Sequence, residues 1–201
     1  REMMPEHKGR FCRIYNCLNR DTIVEKASAP VDDKRITRPF LLAVERLEES
    51  QKDLTTLFKA YALLRNRATA ADVPELYIIG EGRSRGELEG LIRRLGMERH
   101  ITLLGFQANP YPWIKASQAL VHSSRFEGFG LSLAEGLMLG KVLISTDCPT
   151  GPSEILARGK AGLLTPVGDV EALADAMHRI LTDKTLREQL MEEGLRHRRL
   201  F

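Results

Sequence analysis

The chain lacks most of the features that assign a protein quickly. None of its 201 residues belongs to an apolar run of the ~18 that a membrane-spanning helix needs, so no spanning helix is expected. Its three cysteines, Cys12, Cys17 and Cys148, are odd in number and form no CxxC pair. A disulfide framework is therefore not expected, and the usage points to a reducing compartment. Arg1 to Arg10 hold no apolar core of the kind a secretory signal requires. HExxH, Walker A and paired CxxC motifs are absent, which removes the commoner metal and P-loop readings. A broad basic face is missing too. The net charge of +3 lies wholly in residues 1 to 40, with nine Lys/Arg against six Asp/Glu, while the other 161 residues carry 21 of each sign. That balance argues against nucleic acid as a partner and leaves room for a local anion pocket. No internal repeat or low-complexity segment occurs.

What is present is an ordinary globular composition, 43% hydrophobic and 28% charged, in a length that suits one domain or one domain and part of another. From Phe40 onward, short apolar runs alternate with helical patterns. The runs are 40 to 46, 75 to 82, 101 to 106, 119 to 124, 142 to 147 and 161 to 166. Between them, Leu54, Leu57, Phe58, Ala60, Tyr61 and Leu64 share one helical face, and Leu88, Leu91, Ile92 and Leu95 share another. This alternation predicts an α/β fold, a Rossmann-like doubly wound parallel sheet of about six strands with flanking helices. Asp169 is expected to cap a helix running to about Thr182, with a last helix from about Thr185 to the end. Residues 1 to 39 differ in texture. Their opening residues read as a helix end, Arg13 to Asn16 as a short strand, and Ser28 to Pro39 as a connector. They are expected to be the remnant of a junction with a missing domain, and the chain a piece of a longer protein.

In an open α/β sheet, ligands bind at the carboxyl ends of the strands, where helix N-termini present unpaired N–H groups. After the fourth strand comes Arg125-Phe126-Glu127-Gly128-Phe129-Gly130-Leu131-Ser132-Leu133-Ala134-Glu135. Its glycines allow close backbone approach to a ligand, and Glu127 and Glu135 are placed to border one pocket as acceptors for sugar or ribose hydroxyls. From spacing alone, a plain turn with two solvated glutamates stays open. Arg46 closes the first strand and Lys52 follows near the start of the next helix, so the two cations could converge on a diphosphate or simply stand exposed among Glu45, Glu48 and Glu49. Gly80-Glu81-Gly82 does not complete GxGxxG because residue 85 is Arg, so a nicotinamide site is rejected. His122, at the end of the fourth strand, is read as a satisfied, partly buried histidine.

Together these segments resemble the C-terminal, donor-binding domain of the retaining GT-B glycosyltransferases of family 4, the group 1 class. The most specific element is the E-x7-E spacing from Glu127 to Glu135 within EGFGLSLAEGLMLG; AVERLEESQKDLTTLFKAYALL, LYIIGEG, ITLLGF, STDCPTGPSEIL and GLLTPVGDVEALADAM match in the family's order. The resemblance implies one half of a GT-B fold at residues 40 to 201, with the acceptor site and remaining catalytic groups in a missing N-terminal domain. It implies that Arg46 and Lys52 hold the donor diphosphate, that Glu127 lies near the transferred sugar and that Glu135 binds the ribose. It further implies that Gly128, Phe129, Gly130 and Leu131 approach sugar and phosphate through their backbone, and that Gly105 and Phe106 border the base. The family usually has a small residue before the arginine; here it is Glu45, which is expected to point to solvent. The implied reaction is retaining, metal-independent transfer from a nucleoside diphosphate sugar, a UDP-sugar rather than a GDP-sugar, to a glycan or lipid-linked acceptor in bacterial surface polysaccharide synthesis. No cofactor and no metal are expected. The expected location is cytoplasmic, peripheral at the inner face of the membrane in the full-length protein. Two other readings remain: a non-catalytic nucleotide-binding module, which has no need of both Glu127 and Glu135, and a sugar-nucleotide epimerase, which yields an isomerised donor with no acceptor present.

Overall fold

The computed structural model describes residues 16–67 and 73–201. Of the expected strand Arg13–Asn16 only Asn16 is described, in irregular backbone, and the expected helix end in the opening residues lies outside the described residues. Six strands form where the apolar runs stand: β1 Phe40–Val44, β2 Glu75–Ile79, β3 Ile101–Gly105, β4 Ala119–His122, β5 Val142–Thr146 and β6 Leu163–Thr165. They make one sheet in the order β3-β2-β1-β4-β5-β6, and every pairing is parallel. Since parallel strands need crossovers that cover both faces, β1 reads as an unbroken apolar run, buried almost throughout, and β4 and β5 are apolar up to their polar carboxyl ends.

The helices are α1 Arg20–Lys26, α2 Glu49–Lys52, α3 Leu54–Arg67, α4 Arg85–Arg94, α5 Tyr111–Ala116, α6 Leu131–Met138, α7 Pro152–Ile155, α8 Val170–Thr182 and α9 Lys184–His197. The apolar stripe of α3 packs under one face of the sheet with Leu173 and Met177 of α8, in the same cluster as Leu41 and Ala43 of β1. The opposite face carries Phe40 and Leu42 against Trp113 of α5 and Leu133 and Leu137 of α6. Alternate residues of β1 thus serve the two layers, as the period of two in a strand requires. Asp169 caps α8 as expected, accepting from the Ala172 N–H at 2.9 Å. Asp183 likewise caps α9, whose first residue, Lys184, is one ahead of the expected start.

Helix α1 was not expected. Its seven residues bury only Ile23, too short a pattern for helical periodicity to be seen. It is fastened to the rest by Asn109 Nδ2, which donates to the Lys26 carbonyl at 2.8 Å, while the Leu18 N–H donates to the Phe201 carbonyl at 3.0 Å. Among the described residues no helix is long and apolar enough to cross a membrane.

Candidate functional site

The strand order reverses between β1 and β4, and the loops leaving these two strands part there to open a cleft of about 940 Å³ at the carboxyl edge of the sheet. This is the position at which doubly wound sheets bind ligands. Arg46, Lys52, Phe106, Glu127, Glu135 and the segment Gly128 to Leu131 all line it. Gly105 does not. It lies behind the wall, where its carbonyl accepts from the Gly80 N–H at 2.9 Å, and only Phe106, 74% exposed, reaches the rim.

Glu45, Lys52 and Glu127 line the floor of the cleft, and His122 lies buried behind them to complete a cluster of four ionisable groups. Lys52 closes the one-turn α2, two residues ahead of the start of α3, and Asp53 between them adopts a left-handed conformation (φ 47°). Its Nζ stands 2.6 Å from Glu45 Oε2 and 2.5 Å from Glu127 Oε1. Glu127 Oε1 also accepts from Ser124 Oγ at 2.7 Å and lies 3.3 Å from His122 Nε2. Glu45 Oε1 lies 3.0 Å from the same nitrogen, a charge contact without the alignment of a hydrogen bond.

The expectation that Glu45 points to solvent is therefore wrong; its side chain is 2% exposed. Parity explains this. Glu45 continues β1, its N–H donating to the Ile79 carbonyl at 2.9 Å, and the alternation that sends Leu41 and Ala43 to the α3 layer sends Glu45 the same way. Gly80 (φ +142°) passes the Glu45 backbone so closely that a Cβ there would stand 1.8 Å from the Glu45 carbonyl oxygen, so only glycine fits beside it. His122, read as partly buried, is fully buried.

Burial by itself lowers the His122 imidazole, but the negative charges of Glu45 and Glu127 held against the ring outweigh it and carry it up to about 9. Hydrogen-bond directions agree. The Ser145 hydroxyl donates to the Thr146 carbonyl at 2.9 Å, so its oxygen, 3.3 Å from His122 Nδ1, is left to accept. With Nε2 facing two carboxylates and Nδ1 facing that oxygen, a protonated ring finds an acceptor at each nitrogen. Glu127 moves the other way: burial pushes it up, and the hydrogen bonds from His122, Lys52 and Ser124 overcome this and bring it down to about 2. Lys52, though lowered by burial, is raised on balance by the Glu45 charge. With His122 protonated, two cations and two carboxylates give the floor no net charge.

The other wall is built by α5 and α6. Glu135, one turn into α6, accepts from the Tyr111 hydroxyl at 3.0 Å, and burial raises its pKa against the opposing effect of that hydrogen bond. Gly130, at φ 98°, caps α6 in a left-handed conformation that an L side chain rarely adopts, and no side chain caps the helix. The free N–H groups of this first turn adjoin the cleft where Gly130, Leu131 and Ser132 line it. Arg46 stands exposed at the mouth with one long contact, from its guanidinium to Gln51 Oε1 at 3.4 Å.

The cleft thus brings Arg46, Lys52, Glu127 and Glu135 together, as expected. Glu45, His122 and Tyr111 were not expected to matter. For Glu45 a signal existed, since strand parity from Leu41 predicts an inward side chain once both faces of β1 are taken as covered. Glu45, His122 and Glu127 also offer ligand-type atoms within 4.8 Å of one another, but the Lys52 ammonium already sits between the two carboxylates.

The family model described as "Glycosyl transferases group 1" matches residues 25–197. Over 175 residues the chain is 31% identical to the N-acetylgalactosamine-N,N'-diacetylbacillosaminyl-diphospho-undecaprenol 4-alpha-N-acetylgalactosaminyltransferase of Campylobacter jejuni, covering 87% of this chain and 45% of that protein. It is 30% identical over 174 residues to the lipopolysaccharide 1,6-galactosyltransferase of Salmonella typhimurium, covering 84% and 45%. The chain therefore spans about half the length of the curated relatives it matches. In fold it is similar to Anabaena Alr3699/HepE solved in complex with UDP, with a TM-score of 0.78 at 22% identity over 92% of this chain and 51% of that one. A point mutant of Staphylococcus aureus TarM, solved in a complex that includes UDP, superposes with a TM-score of 0.73 at 22% identity, covering 80% and 32%. A six-stranded Rossmann-like sheet with a charged cleft at its switch point, matched along most of its length by the family model, makes this chain a member of the glycosyl transferases group 1 family.

Proposed function

We propose that this chain is the donor-binding half of a glycosyltransferase that takes a UDP-sugar and transfers its sugar, with retention of anomeric configuration and without a metal, to a glycan or lipid-linked acceptor. The observation that carries the reading is the convergence, in one cleft at the strand-order switch, of two cations, two glutamates and the uncapped start of α6.

In this reading Arg46 and Lys52 bind the diphosphate from the mouth and the floor, and the α6 amides meet it from the side. Glu135 and the Tyr111 hydroxyl it holds face the ribose, Glu127 faces the transferred sugar, and Phe106 covers the base. When the bond between the anomeric carbon and the phosphate oxygen breaks, negative charge collects on the departing diphosphate. Fixed cations already in place stabilise that charge with little reorganisation. Lys52, held by two carboxylates, keeps a third N–H for this task. Its ammonium stands where a divalent cation bridging Glu45 and Glu127 would otherwise go, which supports the metal-free form of the reaction. The preference for UDP rests on the UDP-bound relatives of the fold and on the STDCPTGPSEIL segment. Acceptor recognition and the exclusion of water belong to a second, N-terminal domain that closes over the cleft, and action on membrane-linked acceptors places the full-length protein at the inner membrane face.

A thermal-shift panel of UDP, GDP and ADP tests the donor reading. A ligand at 100 times its dissociation constant adds roughly 2.7 kcal/mol of stability, and UDP is expected to give the largest shift. If none of the three raises the melting temperature, the cleft is not a nucleoside diphosphate site. Transfer by the full-length enzyme is expected to survive chelator, and strict dependence on manganese or magnesium overturns the metal-free mechanism.

A further inference from the structure

The four charges of the floor pose a question that diphosphate binding alone does not answer. A cation meant for a phosphate is held here by two carboxylates, and one of them, Glu45, stands where the resembling family usually has a small residue. An added carboxylate beneath an anion site opposes the anion unless something neutralises it. His122 is the group placed to do so. Its Nε2 lies 3.0 Å from Glu45 Oε1 and 3.3 Å from Glu127 Oε1, and both ring nitrogens face acceptors.

We propose that Glu45 and His122 act as a charge-compensated positioning pair, which holds the Lys52 ammonium on the cleft floor and makes diphosphate affinity depend on the proton carried by His122. The proposal rests on the reading of the cleft as a diphosphate site. Glu45 is the fixed end of the device, its backbone tied to β2 by the hydrogen bond to the Ile79 carbonyl and its carboxylate buried. It draws Lys52 to one point, where a flexible four-carbon stem would otherwise sample many. The His122 proton then keeps the floor neutral. With that proton the floor sums to zero, and without it to one negative charge directly beneath the diphosphate.

The groups around His122 leave it as the titrating member. Glu127, on the loop after β4, is held as a carboxylate by three donors, and Lys52 of α2 stays charged between its partners. Ser124 and Ser145, on the β4 and β5 sides, are neutral. The Cys148 thiol, beyond β5, is kept protonated by burial. Asp53, next to Lys52 in the chain, is already paired with Arg125 at 2.9 Å. Because the imidazole is raised to about 9, the charged form prevails at neutral pH and is lost as pH climbs through that value. Diphosphate affinity therefore falls in the same window.

The test is the ratio of UDP to uridine affinity, measured by calorimetry from neutral pH to about pH 10, which cancels any titration of the base. The wild-type ratio is expected to drop roughly tenfold, the scale of one unit charge acting through a partly screened medium. His122→Asn is expected to show the low ratio at every pH. Glu45→Gln combined with His122→Asn, which removes one charge of each sign, is expected to recover the high ratio and to hold it flat. Alongside, the His122 ring resonances of the nucleotide-free protein are followed by NMR; their midpoint is expected well above the ordinary histidine value and to fall in Glu45→Gln. A wild-type ratio that stays flat, or a ring midpoint near that of a free histidine, overturns the proposal and leaves the donor site standing. These two wild-type measurements decide the matter even where His122→Asn does not fold. Absence of binding by UDP, GDP and ADP in a protein whose ring titration is as expected overturns the donor site, and the proposal with it.

Discussion

Glu127 and Glu135 are the same side chain on two walls of one cleft, and the protein treats them in opposite ways. On the floor, Glu127 is met by an ammonium, an imidazole and a hydroxyl, and is held as a carboxylate down to about pH 2. On the α5–α6 wall, Glu135 has one neutral donor, the Tyr111 hydroxyl, and burial raises it. The floor is a set of paired charges whose members depend on one another. The wall is a poised acceptor, held in place by one hydrogen bond. Two glutamates of one spacing motif are in the folded chain one member of a charge cluster and one carboxyl with a single neutral donor.

The largest effect that can break this comparison comes from Lys52→Met, which leaves Glu45 and Glu127 buried with the imidazolium as their one cation. Removing one member of a buried charge cluster costs about 3–5 kcal/mol, so urea denaturation at neutral pH is expected to show a loss of that size. A loss below ~1 kcal/mol, the range of exposed ion pairs, means that the floor is solvated and the contrast with the wall is false.

Next in size is the pair of isosteric changes. Glu127→Gln is expected to destabilise by roughly 1.5–3 kcal/mol, the worth of charged hydrogen bonds, whereas Glu135→Gln is expected to leave stability unchanged or raise it. The two also differ in their response to acid. The folded-state pKa of Glu127 is depressed, so its contribution is full above the ordinary value of 4.5 and is lost as pH falls towards about 2. That of Glu135 is raised, so its ionisation weighs against the folded state and the weight lifts as pH drops. Acid titrations of the two variants against the wild type are expected to diverge with these signs, and parallel curves count against the assignment.

Binding sharpens the contrast further. Arg46→Ala is expected to weaken UDP by about 10-fold to 150-fold, equivalent to 1.5–3 kcal/mol, with uridine scarcely changed. Glu135→Gln is expected to weaken both, and added salt to erode the arginine effect more than the glutamate effect. Equal losses for uridine and UDP in Arg46→Ala would give that arginine a structural role. Smallest is Tyr111→Phe, which removes one neutral hydrogen bond. It is expected to cost about 0.5–1.5 kcal/mol of uridine affinity and to raise Glu135 further, as read by carboxylate NMR.

The fold was largely legible in the sequence. The six apolar runs were legible as strands because they are short and alternate with longer helical patterns, and the α3 stripe was long enough for its period to show. The one-turn α2 and the seven-residue α1 were not, since so short a helix has no period to read. The parts of the site that lie within one stretch of chain, Glu127 to Glu135 and Arg46 to Lys52, were legible for the same reason: their spacing is local.

What the sequence by itself determined, then, is the layer architecture, the strand ends at which chemistry collects and the residue types available there. Only the tertiary structure decided which of those residues touch. Lys52 meets Glu127 across 75 positions of sequence, and His122 meets Glu45 across the β1–β4 boundary, contacts that exist because the strand order reverses there. Whether Glu45 is a solvated neighbour of Arg46 or a buried counter-charge depends on how far β1 runs and on what covers it. Those are properties of the packed sheet. A carboxylate in water needs no partner, and the same carboxylate beneath a sheet must find one.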